Sequence, residues 1–175
     1  MALNVRRVVT GHNLAGQAVV LSDGTPPQCG EDPDVGVGIA ELWVTDVFPV
    51  SNEGSEEAVP DPLPIAPGER GTVFRIVEFP PEQGELPNTE AVQAYLREHG
   101  TVTPETARHP GMHKTRTVDY AIVLSGMVDL LLDQQEVTLR AGDTVVQRGT
   151  FHAWANRYAE PCRVAFVLVA AESAA

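Results

Sequence analysis

The chain has few cysteines, few basic residues and no long apolar run, and each shortage excludes a class of protein. Cys29 and Cys162, its two cysteines, lie far apart in sequence and form no Cys-x-x-Cys pair, which favours a reducing cytoplasm over a disulfide framework. Twelve Lys and Arg residues against 24 Asp and Glu residues disfavour nucleic acid and anionic membrane surfaces as partners. No run approaches the ~18 apolar residues of a membrane-spanning helix. We therefore expect a soluble, cytoplasmic protein without a signal peptide, whose partner is a small molecule or a protein.

Familiar catalytic signatures are also missing. There is no Gly-x-Ser-x-Gly elbow, no phosphate loop and no His-Glu-x-x-His helix. With 175 residues the chain is long enough for one domain with a real core, and we expect one structural domain.

The first hundred residues predict scattered strands, a proline-rich arm and one helix. Residues 4–10 and 18–22 are β-like and joined by a glycine-bounded turn, which predicts a hairpin. We predict a loop over 23–36, strands over 37–48 and 72–79, and a proline-rich arm over 49–71. A helix is predicted from Thr89, as its cap, to His99, with Gly100 ending it. Thr103 and Pro104 predict a second helix of one turn.

After Pro110 the pattern becomes entirely β. Short runs separated by turns are predicted near 115–124, 127–132, 135–140, 143–148, 152–157 and 162–170. Strands at this spacing with almost no helix predict an all-β sandwich or barrel.

Two of these runs carry polar groups on one face. Side chains alternate along a strand, so His113 shares a face with Thr115 and Asp119, and His152 shares one with Trp154. If both faces line one interior, two imidazoles and one carboxylate meet in a single cavity. Such a set suits a divalent metal ion such as Fe, Mn, Ni or Zn that keeps open positions for a substrate.

In this arrangement the chain resembles the cupin superfamily over roughly residues 109–171. The first cupin motif has a glycine, His-x-His, a glutamate and a second glycine. His113, Thr115, Asp119 and Gly126 match its last four positions in spacing. The second motif has Gly, Pro-x-Gly, His and Asn, and is matched by Gly142, Gln147-Arg148-Gly149, His152 and Asn156. The resemblance implies an all-β cupin jelly-roll barrel with an N-terminal β-strand extension and one or two short helices.

Three departures from the motifs bear on function. Thr115 replaces the second histidine, Asp119 replaces glutamate and Gln147 replaces proline. The resemblance then implies three metal ligands, His113, Asp119 and His152. Because six residues of straight strand span about 20 Å, His113 and Asp119 can meet only if the chain bends between residues 115 and 118. A metal-free cupin, in which both histidines hydrogen-bond to neighbours or to a ligand, stays open as the alternative.

Four further residues are candidate substrate contacts: Thr115, Gln147, Trp154 and His109. Gln147 equally suits a strand-end amide that satisfies loop backbone, and Trp154 equally suits the core. His109 could also move a proton or replace a ligand. Among the arginines, only Arg148 lies beside the predicted mouth and is a candidate for an anionic substrate.

These observations predict a barrel core at 109–175 with an extension at 1–108 packed on it. The resemblance implies a metal-dependent lyase, isomerase, decarboxylase or oxygenase acting on a small organic acid or carbonyl compound, without a nucleotide cofactor. The alternative is a non-catalytic metabolite-binding or regulatory cupin, because one fold hosts many activities. The resemblance also implies a homodimer, with the N-terminal strands as the exchanging or interface elements.

Overall fold

The computed structural model describes residues 3–32, 36–53, 65–82 and 89–172. Residues 54–64 of the predicted proline-rich arm therefore lie outside the described residues. In the described ranges the protein has eleven strands and one helix. In chain order they are β1 Arg7–His12, β2 Ala18–Gly24, β3 Cys29–Asp32, β4 Val37–Thr45, β5 Thr72–Phe79, α1 Thr89–Glu98, β6 Thr117–Ser125, β7 Met127–Leu132, β8 Glu136–Arg140, β9 Thr144–Arg148, β10 His152–Ala155 and β11 Cys162–Ala170.

The strands form two sheets and a separate hairpin, all with antiparallel pairing. The large sheet has the order β3-β4-β5-β11-β6-β9, the small sheet has the order β10-β7-β8, and β1 pairs only with β2. Inward side chains of both sheets, among them Val73, Val123, Val128 and Val164, make one buried core. The predicted all-β architecture is therefore confirmed, as is the N-terminal hairpin.

The N-terminal half supplies part of the large sheet. β5 pairs along its length with β11, from Thr72 opposite Val169 to Phe79 opposite Cys162. β4 and β3 continue the sheet beyond β5. The division at residue 108 stays a prediction, but three strands from before it are hydrogen-bonded into the same sheet as three strands from after it.

Two local predictions were wrong. The predicted loop at 23–36 contains β3, which pairs with β4 from Cys29 opposite Ala40 onwards. As the edge strand of the sheet it tolerates exposed glycine and acidic residues, which is why its composition suggested a loop. No helix starts at Thr103, because the preceding Val102 pairs with Lys114 in an extended conformation and the Thr103 hydroxyl accepts from Arg97 instead of capping a helix.

The predicted helix is confirmed from Thr89 to Glu98. Thr89 is its first helical residue in the described range, and Gly100 follows its end with φ 83°, a left-handed conformation that glycine adopts without strain. None of the helices in the described ranges is long and apolar enough to cross a membrane.

Tertiary pairing holds the segment that precedes β6 in place. His113 exchanges two backbone hydrogen bonds with His152, at 3.0 and 2.9 Å, and Lys114 exchanges two with Val102. The chain then bends at Arg116 before β6 begins. The bend that the sequence requires between residues 115 and 118 is therefore present.

Candidate functional site

A cavity of about 450 Å³ lies between the two sheets and is partly covered by α1. Its walls are mainly apolar and come from β4, β5, β10, β11 and α1; they include Val37, Ile39, Val77, Phe79, Val92, Leu96, Trp154, Phe166 and Leu168. Among the polar lining residues are six with ionisable side chains besides Tyr95: Arg75, Glu82, His109, His113, Asp119 and His152. A volume of this size with few polar groups is typical of small-molecule sites.

His113 and His152 face each other in this cavity. Their ring centroids are 4.7 Å apart and the rings are tilted by 46°. His113 Nδ1 lies 2.8 Å from the carbonyl oxygen of Gly111, and His152 Nδ1 lies 3.0 Å from that of Thr150. Because a carbonyl only accepts, each Nδ1 carries the proton and each Nε2 is left with a lone pair. Neither Nε2 makes a hydrogen bond within the part of the chain that the structure describes.

Both imidazoles are neutral at physiological pH. Burial lowers the pKa of His113, because desolvation penalises the charged ring more than its bond to Gly111 favours it. Burial, together with repulsion from His113, lowers the pKa of His152 to about 3. A neutral imidazole with an open Nε2 and a fixed Nδ1–H is the form in which histidine binds a metal ion or accepts a hydrogen bond.

Asp119 projects from β6 into the same cavity and is only 5% exposed. The hydroxyl of Thr117 hydrogen-bonds to its carboxylate, whereas the Oδ1 atom is buried and has no partner among the described residues. Burial raises the pKa of Asp119 to about 6, against the opposing effects of Thr117 and Arg75. An unpartnered buried carboxylate oxygen is costly when charged, which agrees with the raised pKa of this group.

A buried ion pair that sequence reasoning missed lies beside Asp119. Arg75 of β5 lines the cavity, and its Nη2 atom is 2.9 Å from Oε2 of Glu41 on β4. Both side chains are buried, and desolvation raises the pKa of Glu41 to about 7 although Arg75 opposes the shift. The signal was present in the sequence, because the alternation of β5 puts Arg75 on the same face as Val73 and Val77.

Arg148, the arginine preferred from the sequence, is exposed and does not line the cavity. It lies opposite Val118 in the pairing of β9 with β6, one residue after the inward-facing Gln147. Successive side chains point to opposite faces of a sheet, so Arg148 points outward. That interpretation was wrong, and Arg75 is the arginine of this cavity.

His109 lies at the cavity with both ring nitrogens engaged. Its Nδ1 accepts from the Gly111 amide at 3.1 Å, and its Nε2 is 3.0 Å from Oε1 of Glu82. These bonds place the proton on Nε2 and leave no ring nitrogen for a metal ion. Glu82 is held in turn by a backbone hydrogen bond to Asn156 at 2.8 Å.

Of the other three predicted substrate contacts, two line the cavity and one does not. Thr115 lines the cavity and its hydroxyl is 2.5 Å from that of Thr117. Trp154 is both wall and core, stacked on Phe79 at 6.2 Å. Gln147 is buried but does not line the cavity, because its amide donates to the carbonyl and hydroxyl oxygens of Thr150. Gln147 therefore satisfies loop groups at the end of a strand, which is the alternative role that the sequence left open.

The candidate metal ligands are the two histidines and Asp119. The two Nε2 atoms suit a divalent ion in protonation, and they belong to rings whose centroids are 4.7 Å apart. Among the described residues, however, no three His, Cys, Asp or Glu side chains are arranged to hold one ion together. The structure thus brings His113 and His152 together and puts Asp119 in the same cavity but not in one cluster with them. The three-ligand site stays a prediction.

Comparison with known proteins gives a family and several fungal relatives. The family model described as "Cupin domain" matches residues 98–169. The "Cupin-domain-containing oxidoreductase fogC" of Aspergillus ruber is 28% identical over 94% of this chain and 72% of its own length. The "Cupin-domain-containing oxidoreductase srdD" of Neurospora crassa is 40% identical over 33% of this chain and 32% of its own.

Higher identity is confined to a short segment. The "Phomopsin biosynthesis cluster protein C'" of Diaporthe leptostromiformis is 53% identical over 47 residues, which are 26% of this chain and 25% of that protein. The match with the two phomopsin-cluster proteins therefore spans only about a quarter of their length.

Proposed function

The chain belongs to the cupin superfamily, and from this premise we propose that it is a small-molecule enzyme whose reaction takes place in the cavity beside His113 and His152. One observation carries the proposal: two neutral imidazoles, each with Nδ1 tied to a backbone carbonyl, leave both Nε2 atoms open in an otherwise mainly apolar cavity. Relatives named as cupin-domain-containing oxidoreductases support an enzyme rather than a structural protein.

Within this proposal His113 and His152 hold a divalent Fe, Mn, Ni or Zn ion, with Asp119 as the third predicted ligand. A bound ion of this kind supplies Lewis-acid or redox chemistry. The chain's own residues supply the rest: Trp154, Phe79 and Phe166 exclude water from the substrate, and Arg75 with Glu41 sets the charge of the inner wall. His109 is the candidate for moving a proton, because its Nε2–H lies beside the carboxylate of Glu82. Lyase, isomerase, decarboxylase and oxygenase reactions on an organic acid or carbonyl compound all remain candidates, and the relatives' names favour an oxidoreductase.

The metal claim is tested by loading. Protein purified without an affinity tag and treated with a chelator is offered each of the four metals, and bound metal is measured by elemental analysis. We expect about one ion per chain in the wild type, and at least a tenfold loss of affinity in His113→Ala and His152→Ala. His12→Ala is the matched control, since His12 is exposed at the end of β1 and should leave loading unchanged.

Turnover is tested with the loaded protein and a panel of apolar organic acids and carbonyl compounds, with products detected by mass spectrometry. Loading in the wild type that both histidine variants abolish, together with turnover of one compound class, would support the proposal. A wild type that takes up none of the four metals would contradict it. Metal that is retained after both substitutions would show that the wrong ligands were chosen.

A second candidate is a metal-free cupin that binds a metabolite without transforming it. The observation that favours it is the lack, among the described residues, of three metal-binding side chains in one cluster. It predicts ligand binding of equal affinity with and without added metal, whereas the enzyme proposal predicts that metal changes either affinity or turnover.

A further inference from the structure

Trp154 lies beside the two site histidines, and its ring is held by three neighbouring rings. It shares the inward face of β10 with His152, and the two ring centroids are 6.4 Å apart at an interplanar angle of 85°. The indole also stacks on Phe79, with 6.2 Å between centroids, and packs edge-to-face with Phe166 at 5.2 Å. These contacts fix the plane of the indole, and with it the direction of the indole N–H.

The indole N–H of Trp154 is an open hydrogen-bond donor. It makes no hydrogen bond within the part of the chain that the structure describes, and its Nε1 atom keeps accessible surface, unlike the unpartnered Oδ1 atom of Asp119. A tryptophan N–H that is withdrawn from bulk water usually has an acceptor. Because Trp154 lines the cavity and its N–H only donates, the group that completes it is an acceptor on the ligand.

Other side-chain donors of the lining are already used within the protein. Tyr95 donates its hydroxyl to Asp32 at 2.7 Å, and Asn156 gives its Nδ2 hydrogens to two backbone carbonyls, both at 2.8 Å. His109 directs its Nε2–H to Glu82. The two site histidines direct Nδ1–H to backbone carbonyls and present only lone pairs to the cavity. A ligand oxygen that only accepts therefore finds its donor at the indole.

The charges around the cavity favour an uncharged acceptor. The Nη2 atom of Arg75 is paired at 2.9 Å with Glu41, and its Nε atom is buried out of reach of a ligand. Asp119 and Glu82 add two carboxylates to the lining, and the whole chain carries a formal charge of -12. A carboxylate on the ligand would bring one more negative charge into this poorly hydrated space, which is unfavourable.

We propose that the indole N–H of Trp154 binds the carbonyl oxygen of the substrate, and that the substrate is an uncharged, largely apolar carbonyl compound. This inference rests on the proposed function and narrows its substrate class, because it selects carbonyl compounds over organic acids. It also makes Trp154 a residue that determines specificity, in addition to its place in the apolar wall. The carbonyl group is then held beside His152, where the reaction is proposed to occur.

The test compares three ligands that share one ring system: 2-acetylnaphthalene, 2-isopropenylnaphthalene and 2-naphthoate. The isopropenyl compound has the shape of the ketone, with a methylene group in place of the oxygen. Affinities are measured by calorimetry on the chelator-treated full chain and on Trp154→Phe, which keeps an aromatic ring but has no N–H. We expect the preference for ketone over alkene to be about 3- to 10-fold higher in the wild type, the size of one neutral hydrogen bond. We expect 2-naphthoate to bind more weakly than the ketone.

Trp43→Phe is the matched control. Trp43 is the other of the two tryptophans, lies opposite Phe74 in the pairing of β4 with β5, and does not line the cavity. This variant should keep the wild-type preference for the ketone. It also assigns the two indole signals in an NMR spectrum of the wild type, because the signal of Trp43 is missing from it.

The NMR spectrum gives a second readout that does not depend on Trp154→Phe folding. We expect the ketone to move the indole proton of Trp154 further downfield than the alkene does. Both ligands carry the same naphthalene ring, so its ring-current effect is common to both. A role of Trp154 as an apolar wall alone would give equal shifts with the two ligands.

Several outcomes would overturn the inference: equal indole shifts with ketone and alkene, a ketone preference that Trp154→Phe leaves intact, tightest binding of the carboxylate, or no binding of any of the three at millimolar concentration. Metal loading and turnover are not needed for these measurements. A protein that loads metal but gives equal indole shifts would refute this inference and leave the proposed function standing. A ketone-specific shift in a protein that takes up no metal would refute the metal claim alone.

Discussion

At the scale of single residues, the Glu41–Arg75 pair is the largest departure from an apolar interior. Both side chains are taken out of water, and their mutual attraction only partly offsets the cost of removing two charges from solvent. Arg75 lines the cavity, Glu41 is its partner outside the lining, and the pair sets the charge of that wall. Its protonation state therefore bears on both stability and the ligand that the cavity accepts.

Glu41 should make the free energy of unfolding depend on pH. Its pKa is about 7 in the folded chain and 4.5 when unperturbed, so the folded state binds the proton more tightly. The resulting stabilisation is fully present below pH 4.5 and is lost as the pH rises to about 7. Relative to Glu41→Gln, we expect the wild type to lose about 1–3 kcal/mol of unfolding free energy between roughly pH 5 and 8.

Urea unfolding of both proteins across this range measures the difference. All other ionisable groups are common to both proteins, so their contributions cancel in the comparison. Parallel stability curves for the wild type and Glu41→Gln would show that Glu41 stays ionised in the folded state beside Arg75.

At the scale of elements, α1 is fastened to the segment that carries the first site histidine. Gln93 is buried on the inner face of α1, and its Nε2 donates to the carbonyls of Pro110 and Met112 at 2.6 and 2.8 Å. The carbonyl between them, that of Gly111, accepts from His113 Nδ1. One amide side chain thus fixes the backbone that sets the orientation and tautomer of His113.

Replacing Gln93 by Leu should therefore loosen this segment. Two buried carbonyls lose their donor, so we expect a loss of about 1–3 kcal/mol in the free energy of unfolding. Hydrogen exchange of the Met112 and His113 amides should also become faster. Glu98→Leu, at an exposed position at the end of the same helix, is the control and should change neither quantity. Unchanged exchange in Gln93→Leu would mean that pairing with His152 alone holds the segment.

At the scale of the whole molecule, the β1–β2 hairpin stands apart from both sheets of the described chain. It pairs with neither sheet, and it leaves Val8 and Val20 about half exposed, at 48% and 58%. Arg7 attaches it to the large sheet by a hydrogen bond to the Leu42 carbonyl at 3.0 Å. An arm with exposed apolar side chains suits contact with a second copy of the chain, which is the homodimer that the sequence led us to expect.

We expect sedimentation at micromolar concentration to give a dimer, and Val8→Glu with Val20→Glu to shift it toward monomer by at least tenfold in dissociation constant. Val137→Glu is the control, because Val137 is exposed to the same degree as Val8 but lies on β8 of the small sheet. Dissociation by the control alone would place the interface elsewhere, and a wild-type monomer would refute the dimer.

Local sequence patterns determined most of the elements. Apolar alternation placed β5 to the residue, and the regular turns after Pro110 predicted the six C-terminal strands closely. Strand alternation put Asp119 and His152 on faces that line the cavity, whereas His113 lies before the bend at Arg116 and is positioned by its pairing with His152. Composition was a poorer guide at the sheet edge, where β3 has the residues of a loop and is a strand only because β4 offers it a partner.

The tertiary structure alone decided which polar groups meet and which are already used. Glu41 and Arg75 come from separate strands, and their pairing depends on the register between β4 and β5. The proton positions on His109, His113 and His152 follow from backbone carbonyls and amides that only the folded loops bring near. Sequence spacing fixes the face on which a side chain lies. Whether it presents a donor or an acceptor to a ligand depends on partners far along the chain, and these are set only when the two sheets close around the cavity.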